Sequence, residues 1–236
     1  RGKIKETVTL SNNSNIKEYD IAYNNAHHFR GVIYDGNNVY FVTNQNNEYY
    51  QEVITNGSNI ANLKLLYNRK NDPYILLSIN KYDGEILVYS KGKVGNRIGV
   101  WKSKSITKEH FSKNGFNDKY TGFSLDNITS IDAHFDFFNA LRVVVAEGGD
   151  VYMLKEYLHT PDSADWRIDK IASNVGAQSL SSSISSRNRL SIIYGYNKLD
   201  WIRLWDEPIY LKYGDKTSKS SRANDLIEEI EENKLK

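Results

Sequence analysis

Cysteine is absent from this chain, and methionine occurs once. Disulfide staples and thiolate metal sites are therefore excluded. No apolar run approaches the ~20 residues of a membrane-spanning helix, so insertion by that route is not expected. Charge of one sign is missing too: 31 Lys and Arg stand against 29 Asp and Glu, a net of +2. That balance lacks the basic footprint of a duplex-binding protein, and no nucleic-acid partner is expected. No glycine-rich loop opens a helix after a strand, and no Gly-x-Ser-x-Gly elbow occurs, which argues against the common nucleotide sites and serine-hydrolase sites. The histidines (His27, His28, His110, His134 and His159) fall at no metal-ligand spacing, so neither metal nor cofactor is expected. The first residue is Arg1 rather than Met, which fits a segment of something longer.

What is abundant is tyrosine, 17 residues, with Asn and Lys. Tyrosine suits strands and also surfaces that take sugars or proteins. Short β-branched and aromatic runs alternate with Asn, Asp and Gly turns, the pattern of hairpins. Four stand out: 31–43 around Asp35-Gly36-Asn37-Asn38, 74–90 around Tyr82-Asp83-Gly84, 141–154 around Glu147-Gly148-Gly149-Asp150, and 189–205 around Tyr196-Asn197-Lys198. A third strand is expected after each, at 49–54, 96–103, 165–172 and 208–213. A strand is expected before each, at 26–30, 60–67, 128–135 and 178–184.

Equivalent strands then open at Val39, Ile86, Val151 and Trp201, with spacings of 47, 65 and 50 residues. Periods of this size match propeller blades, whose four-stranded sheets stack around an axis because none can bury both faces alone. The long second spacing holds a polar stretch, 105–126, read as an insertion. Two further strands, 3–10 and 18–23, complete a fifth blade or close the ring. The sequence thus predicts an all-β propeller over 1–214, five blades favoured over four. Residues 215–236 form a linker and a C-terminal α-helix of about 222–235, with Leu226, Ile227, Ile230 and Leu235 as its apolar stripe.

Carboxylates and aromatics are the residues able to carry chemistry or binding here. The segment 86–90 followed by 97–105 resembles the blade pattern of propeller glycoside hydrolases and sialidases. Such hydrolases need two acids flanking the scissile bond, for which Asp72, Asp132 and Asp136 are candidates. No Asp-box and no arginine triad accompany them. Binding without cleavage needs less: a flat aromatic face with hydroxyl-bonding groups beside it. Trp101, Trp166, Trp201 and Trp205 are the natural platforms, the last two sharing one strand face. Lys91, Lys93, Arg97, Lys102 and Lys104 form a basic run suited to a polyanionic polymer.

A Cys-free, Asn-, Lys- and Tyr-rich propeller of this length, followed by a polar linker and short helix, resembles the platform domain of tail-fibre receptor-binding proteins of bacteriophages, staphylococcal phages in particular. The resemblance spans 31–213. It implies a trimeric virion-tail protein that meets other fibre or baseplate subunits and attaches to a bacterial cell-wall glycopolymer such as teichoic acid. The expectation is a non-enzymatic glycan-binding module with Trp101, Trp201, Trp205, Arg97 and Lys102 at the ligand. A propeller glycoside hydrolase and a structural protein-interaction platform are the alternatives.

Overall fold

The computed structural model describes residues 11, 14–26, 28–45, 48–81, 83–94, 97–107, 123–136, 139–156, 166–184, 189–195 and 199–205. All lie in one compact unit, Arg1–Asp206. The expected C-terminal helix, the strand at 208–213 and the strand at 3–10 fall outside these residues.

The described residues are all-β. The first sheet runs β1 (Glu18–Tyr23), β2 (Phe29–Tyr34), β3 (Asn38–Gln45), β4 (Glu48–Asn56). The second is β5 (Ile60–Tyr67), β6 (Pro73–Ile79), β7 (Glu85–Ser90) and β10 (Lys102–Ile106), with a small hairpin of β8 (Lys93–Val94) and β9 (Arg97–Ile98) between the last two. The third is β11 (Ile128–Phe135), β12 (Leu141–Glu147), β13 (Gly149–Glu156) and β14 (Trp166–Ala177). The fourth holds β15 (Ser179–Ile184), β16 (Arg189–Gly195) and β17 (Leu199–Trp205). Every pairing is antiparallel between neighbours in order, and the first strand of each sheet packs against the first strand of the next.

Three joints hold the sheets together. Val32, Tyr34 and Phe41 meet Leu63, Ile75 and Leu77 in the first. Leu76, Ile86 and Val88 meet Leu141, Val143 and Val145 in the second. Val144, Ala146 and Met153 meet Leu190, Ile192 and Tyr194 in the third. The two middle sheets are thus buried on both faces. That is why β12 reads Leu-Arg-Val-Val-Val-Ala with no polar alternation: odd and even positions enter different cores.

Several expected elements shift. Residues 26–30 do not form a whole strand. Asn24 Oδ1 accepts the Ala26 and His28 amides at 3.0 and 2.9 Å, and this side-chain turn displaces the ladder before β2 begins. The strand preceding β2 is instead Glu18–Tyr23, which belongs to the first sheet and not to a fifth. The outer strand of the second sheet is Lys102–Ile106 rather than 96–103, because that register buries Ile106 against Ile86. Of the supposed insertion 105–126, Ser105 and Ile106 are strand, and Leu125 is fully buried in the core.

Candidate binding site at the convergence of the inner strands

The four inner strands share one register. Asp20 pairs with Val32, Lys64 with Leu76, Asp132 with Val144 and Ser181 with Ile193, always a partner twelve residues on. These positions carry the links between sheets. Asp20 Oδ2 accepts the amide of Leu65 at 2.8 Å, and Asp132 Oδ2 accepts the amide of Ser182 at 2.6 Å. In both cases the acceptor captures the residue just after the equivalent position in the next sheet. Lys64 cannot accept; its ammonium sits 3.3 Å from Asp132 and 3.8 Å from Asp20.

Four residues further on, β5 and β11 turn in the same way. Asn68 Oδ1 accepts the Asp72 amide and Asp136 Oδ1 accepts the Ala140 amide, both at 2.8 Å. Asn71 and Asn139 both take φ of 66°, a left-handed conformation that Asn tolerates better than most residues. Their side chains then latch neighbouring turns: Asn71 Oδ1 accepts from the Asn25 amide and Asn139 Oδ1 from the Arg69 amide, each at 2.8 Å.

This end of the inner strands encloses an open cavity of about 510 Å³. Asn25 comes from the first turn, Tyr67, Asn68 and Arg69 from β5 and its turn, His134 and Phe135 from β11, and Ile184 from β15. Tyr67, Phe135 and Ile184 occupy the same register position, three past Lys64, Asp132 and Ser181, and the exposed Tyr23 occupies it in β1. The mouth is therefore rimmed by rings, amides and one imidazole. Burial pushes the Tyr67 hydroxyl up to about 12, against the pull of Arg30, so it stays neutral and offers both a donor and acceptor.

Behind the rim, Ser182 Oγ lies 3.0 Å from Asp132 Oδ2 and 2.9 Å from His134 Nε2. Burial alone would raise the Asp132 carboxyl. His134, the Lys64 ammonium and the Ser182 amide outweigh it and hold the group down to about 2. His134 Nε2 is 3.7 Å from that carboxylate, beyond hydrogen-bond distance. Serine and aspartate both address the same imidazole nitrogen, so the trio lacks the relay in which the acid orients one nitrogen and the other takes the serine proton. The two carboxylates Asp20 and Asp132 have the Lys64 ammonium between them. The Asp132 carboxyl, held ionised in this way, is poorly suited to donate a proton as a glycosidase acid does.

The other candidate acids are structural. Asp72 sits in the second turn with Asn68, and the buried Asp136 pairs with the buried Arg142. Trp101 is half-buried in the first joint, edge-on to Phe41 at 5.2 Å, with the Lys91 ammonium 5.4 Å from its ring centre. Trp166 is core. Lys102 is exposed at the start of β10. Arg97 lies on β9, and Trp201 and Trp205 lie on β17; their side chains are outside the description. None of the five expected ligand residues is among the cavity's described lining. The basic run is partly neutralised: Lys91 pairs with Glu52 and Lys104 with Glu156.

Sequence reasoning missed the cavity residues, although a signal existed. The spacing Asn68-x-x-Asn71, Asp136-x-x-Asn139 and Ser185-x-x-Asn188 recurs directly after β5, β11 and β15, whereas after β1 Asn24 is followed by His27 at the second position. Beyond the fold, no protein-family model and no curated protein matches the chain.

Proposed function

We propose that the sheets are blades of a propeller-type ring and that the chain is a non-enzymatic binding module for a cell-surface glycan, held in the cavity at the inner-strand mouth. The observation that carries this is the lining itself: Tyr67 and Phe135 beside Asn25, Asn68 and His134. Sugar rings stack on aromatic faces, and amides and imidazole match their hydroxyls without performing chemistry. The volume lies within the ~300–1,000 Å³ of ordinary ligand sites. The same lining supports binding over hydrolysis, since no carboxylate is among its described residues.

The setting proposed with it is the one the sequence resemblance implies, a tail-fibre protein meeting a bacterial cell-wall polymer. Weak single sites would then gain strength through several copies. A glycan array followed by calorimetry on its best ligand tests the site. Tyr67→Ala and Asn25→Ala should each weaken binding roughly tenfold, the loss of one good contact. Unchanged affinity in both variants would remove the cavity from consideration, and release of reducing ends would favour the hydrolase. Equal attachment to cells with and without teichoic acid would refute the proposed setting while leaving the cavity intact.

A further inference from the structure

The hydrogen bonds behind the rim fix where the His134 ring carries its proton. An ionised carboxylate only accepts, and the Asp132 carboxyl, held down to about 2, is ionised near neutral pH. Asp132 Oδ2 lies 3.0 Å from Ser182 Oγ, so the single hydroxyl proton of Ser182 points at it. Ser182 Oγ is then left to accept from His134 Nε2, 2.9 Å away. Nε2 therefore holds a proton, and in the neutral imidazole Nδ1 is a lone-pair acceptor. Nδ1 has no partner among the described residues, and the side chain, 25% exposed, lines the cavity.

The rest of the lining gives that lone pair weight. Asn68 commits its amide to Asp72, accepting with Oδ1 and donating with Nδ2. Arg69 only donates. Among the described lining, the side-chain acceptors left for a ligand are His134 Nδ1, the Tyr67 hydroxyl and Asn25.

The ring's charged surroundings come from its own strand and two neighbours. β11 supplies Asp132. β5 supplies Lys64, 3.3 Å from Asp132, and Arg69 follows β5. Arg142 of β12 stands opposite His134 in register and pairs with Asp136. β15 supplies Ser182 and no charged residue. Imidazoles change charge between about pH 5 and 8, a range in which Lys, Arg and carboxylates paired with them keep theirs.

Resting on the glycan reading of this cavity, we propose that His134 Nδ1 accepts a hydrogen bond from a hydroxyl of the bound sugar, and that acid releases the sugar. Protonation turns the acceptor into a donor, and the hydroxyl that donated to it loses its partner. Ser182 is a positioning residue here: by accepting from Nε2 it keeps the lone pair on Nδ1.

Nitrogen NMR of the native chain at pH 8, with His134→Gln to assign the ring, should show a protonated Nε2 and a bare Nδ1. A glycan array probed at pH 8 and again at pH 5 should lose its neutral hits, with affinity down roughly tenfold, the worth of one hydrogen bond. His134→Gln, with an unchanged circular dichroism spectrum, should bind weakly at pH 8 and no differently at pH 5. A proton on Nδ1 at pH 8 overturns the proposal. Equal binding at both pH values in the native chain, or a pH dependence that survives in His134→Gln, overturns it and leaves the glycan reading standing. Hits that strengthen at pH 5 also overturn it, since an imidazolium would then be answering an anionic sugar. An array without hits at either pH removes the glycan reading and this inference together.

Discussion

At the scale of single residues, Asp132 is the most exposed to test. Its carboxyl ties the second, third and fourth sheets through Lys64, Ser182 and His134. Its folded value of about 2 lies below the ordinary 3.8. A group depressed on folding contributes stability that is fully present above its unfolded value and lost as pH falls through the folded one. Asp132→Asn should therefore cost about 2 kcal/mol at pH 6, and the gap should close between pH 4 and pH 2. Urea unfolding across that range checks it; a gap constant with pH would show that the charge is not what binds the sheets. Gly84 is a second test. A Cβ there would lie 1.9 Å from the Leu125 carbonyl oxygen, which is backbone and cannot swing away. Gly84→Ala should cost at least ~2 kcal/mol by forcing that segment off the core, read as a lowered unfolding midpoint.

At the scale of elements, the turns after the inner strands do two jobs with one residue. Asn139 adopts the left-handed conformation and offers its side-chain oxygen to the Arg69 amide of the preceding turn. Asn139→Gly should keep the conformation and lose the latch, at about 1 kcal/mol, whereas Asn139→Ala should lose both, at about 2 kcal/mol. Equal costs would mean that only the latch matters. Asn71 should behave alike toward Asn25. These turns also explain which part of the site was legible. The inner strands at 60–67 and 128–135 are visible in the sequence because β-branched and apolar residues crowd them. The turn residues look like generic Asn-rich loop until the register aligns them, since a side chain bonding to another turn leaves no local periodicity. The strand expected at 26–30 gives way for the same reason, since the Asn24 turn overrides the local propensity there, while the strand expected at 18–23 forms and pairs with β2.

At the scale of the whole molecule, stability is carried by joints between sheets, each of the two middle sheets serving two neighbours. Leu76 fills the second joint, so Leu76→Ala should cost about 2–5 kcal/mol. Ile193, also in a central strand, is 50% exposed, so Ile193→Ala should change the unfolding of an isolated chain by less than about 0.5 kcal/mol. Chemical denaturation of both variants at low protein concentration checks the contrast. A large effect at Ile193 under those conditions would mean that the chain itself covers that face.

The sequence alone determined the strands, the hairpin turns and the fourfold repetition, because alternation, β-branching and Asn/Gly turns are local properties of a chain that must hydrogen-bond its backbone in pairs. It did not reveal which residues meet between the first strands of the sheets. Asp20, Lys64, Asp132 and Ser182 are far apart in the chain and come together only when four registers are stacked. The mouth cavity lies where those registers end, so its lining is a consequence of packing. The tryptophans that looked available from composition are placed by the same packing, Trp101 in a joint beneath a lysine and Trp166 in a core. Burial of a large aromatic is decided by which face the neighbouring sheet covers.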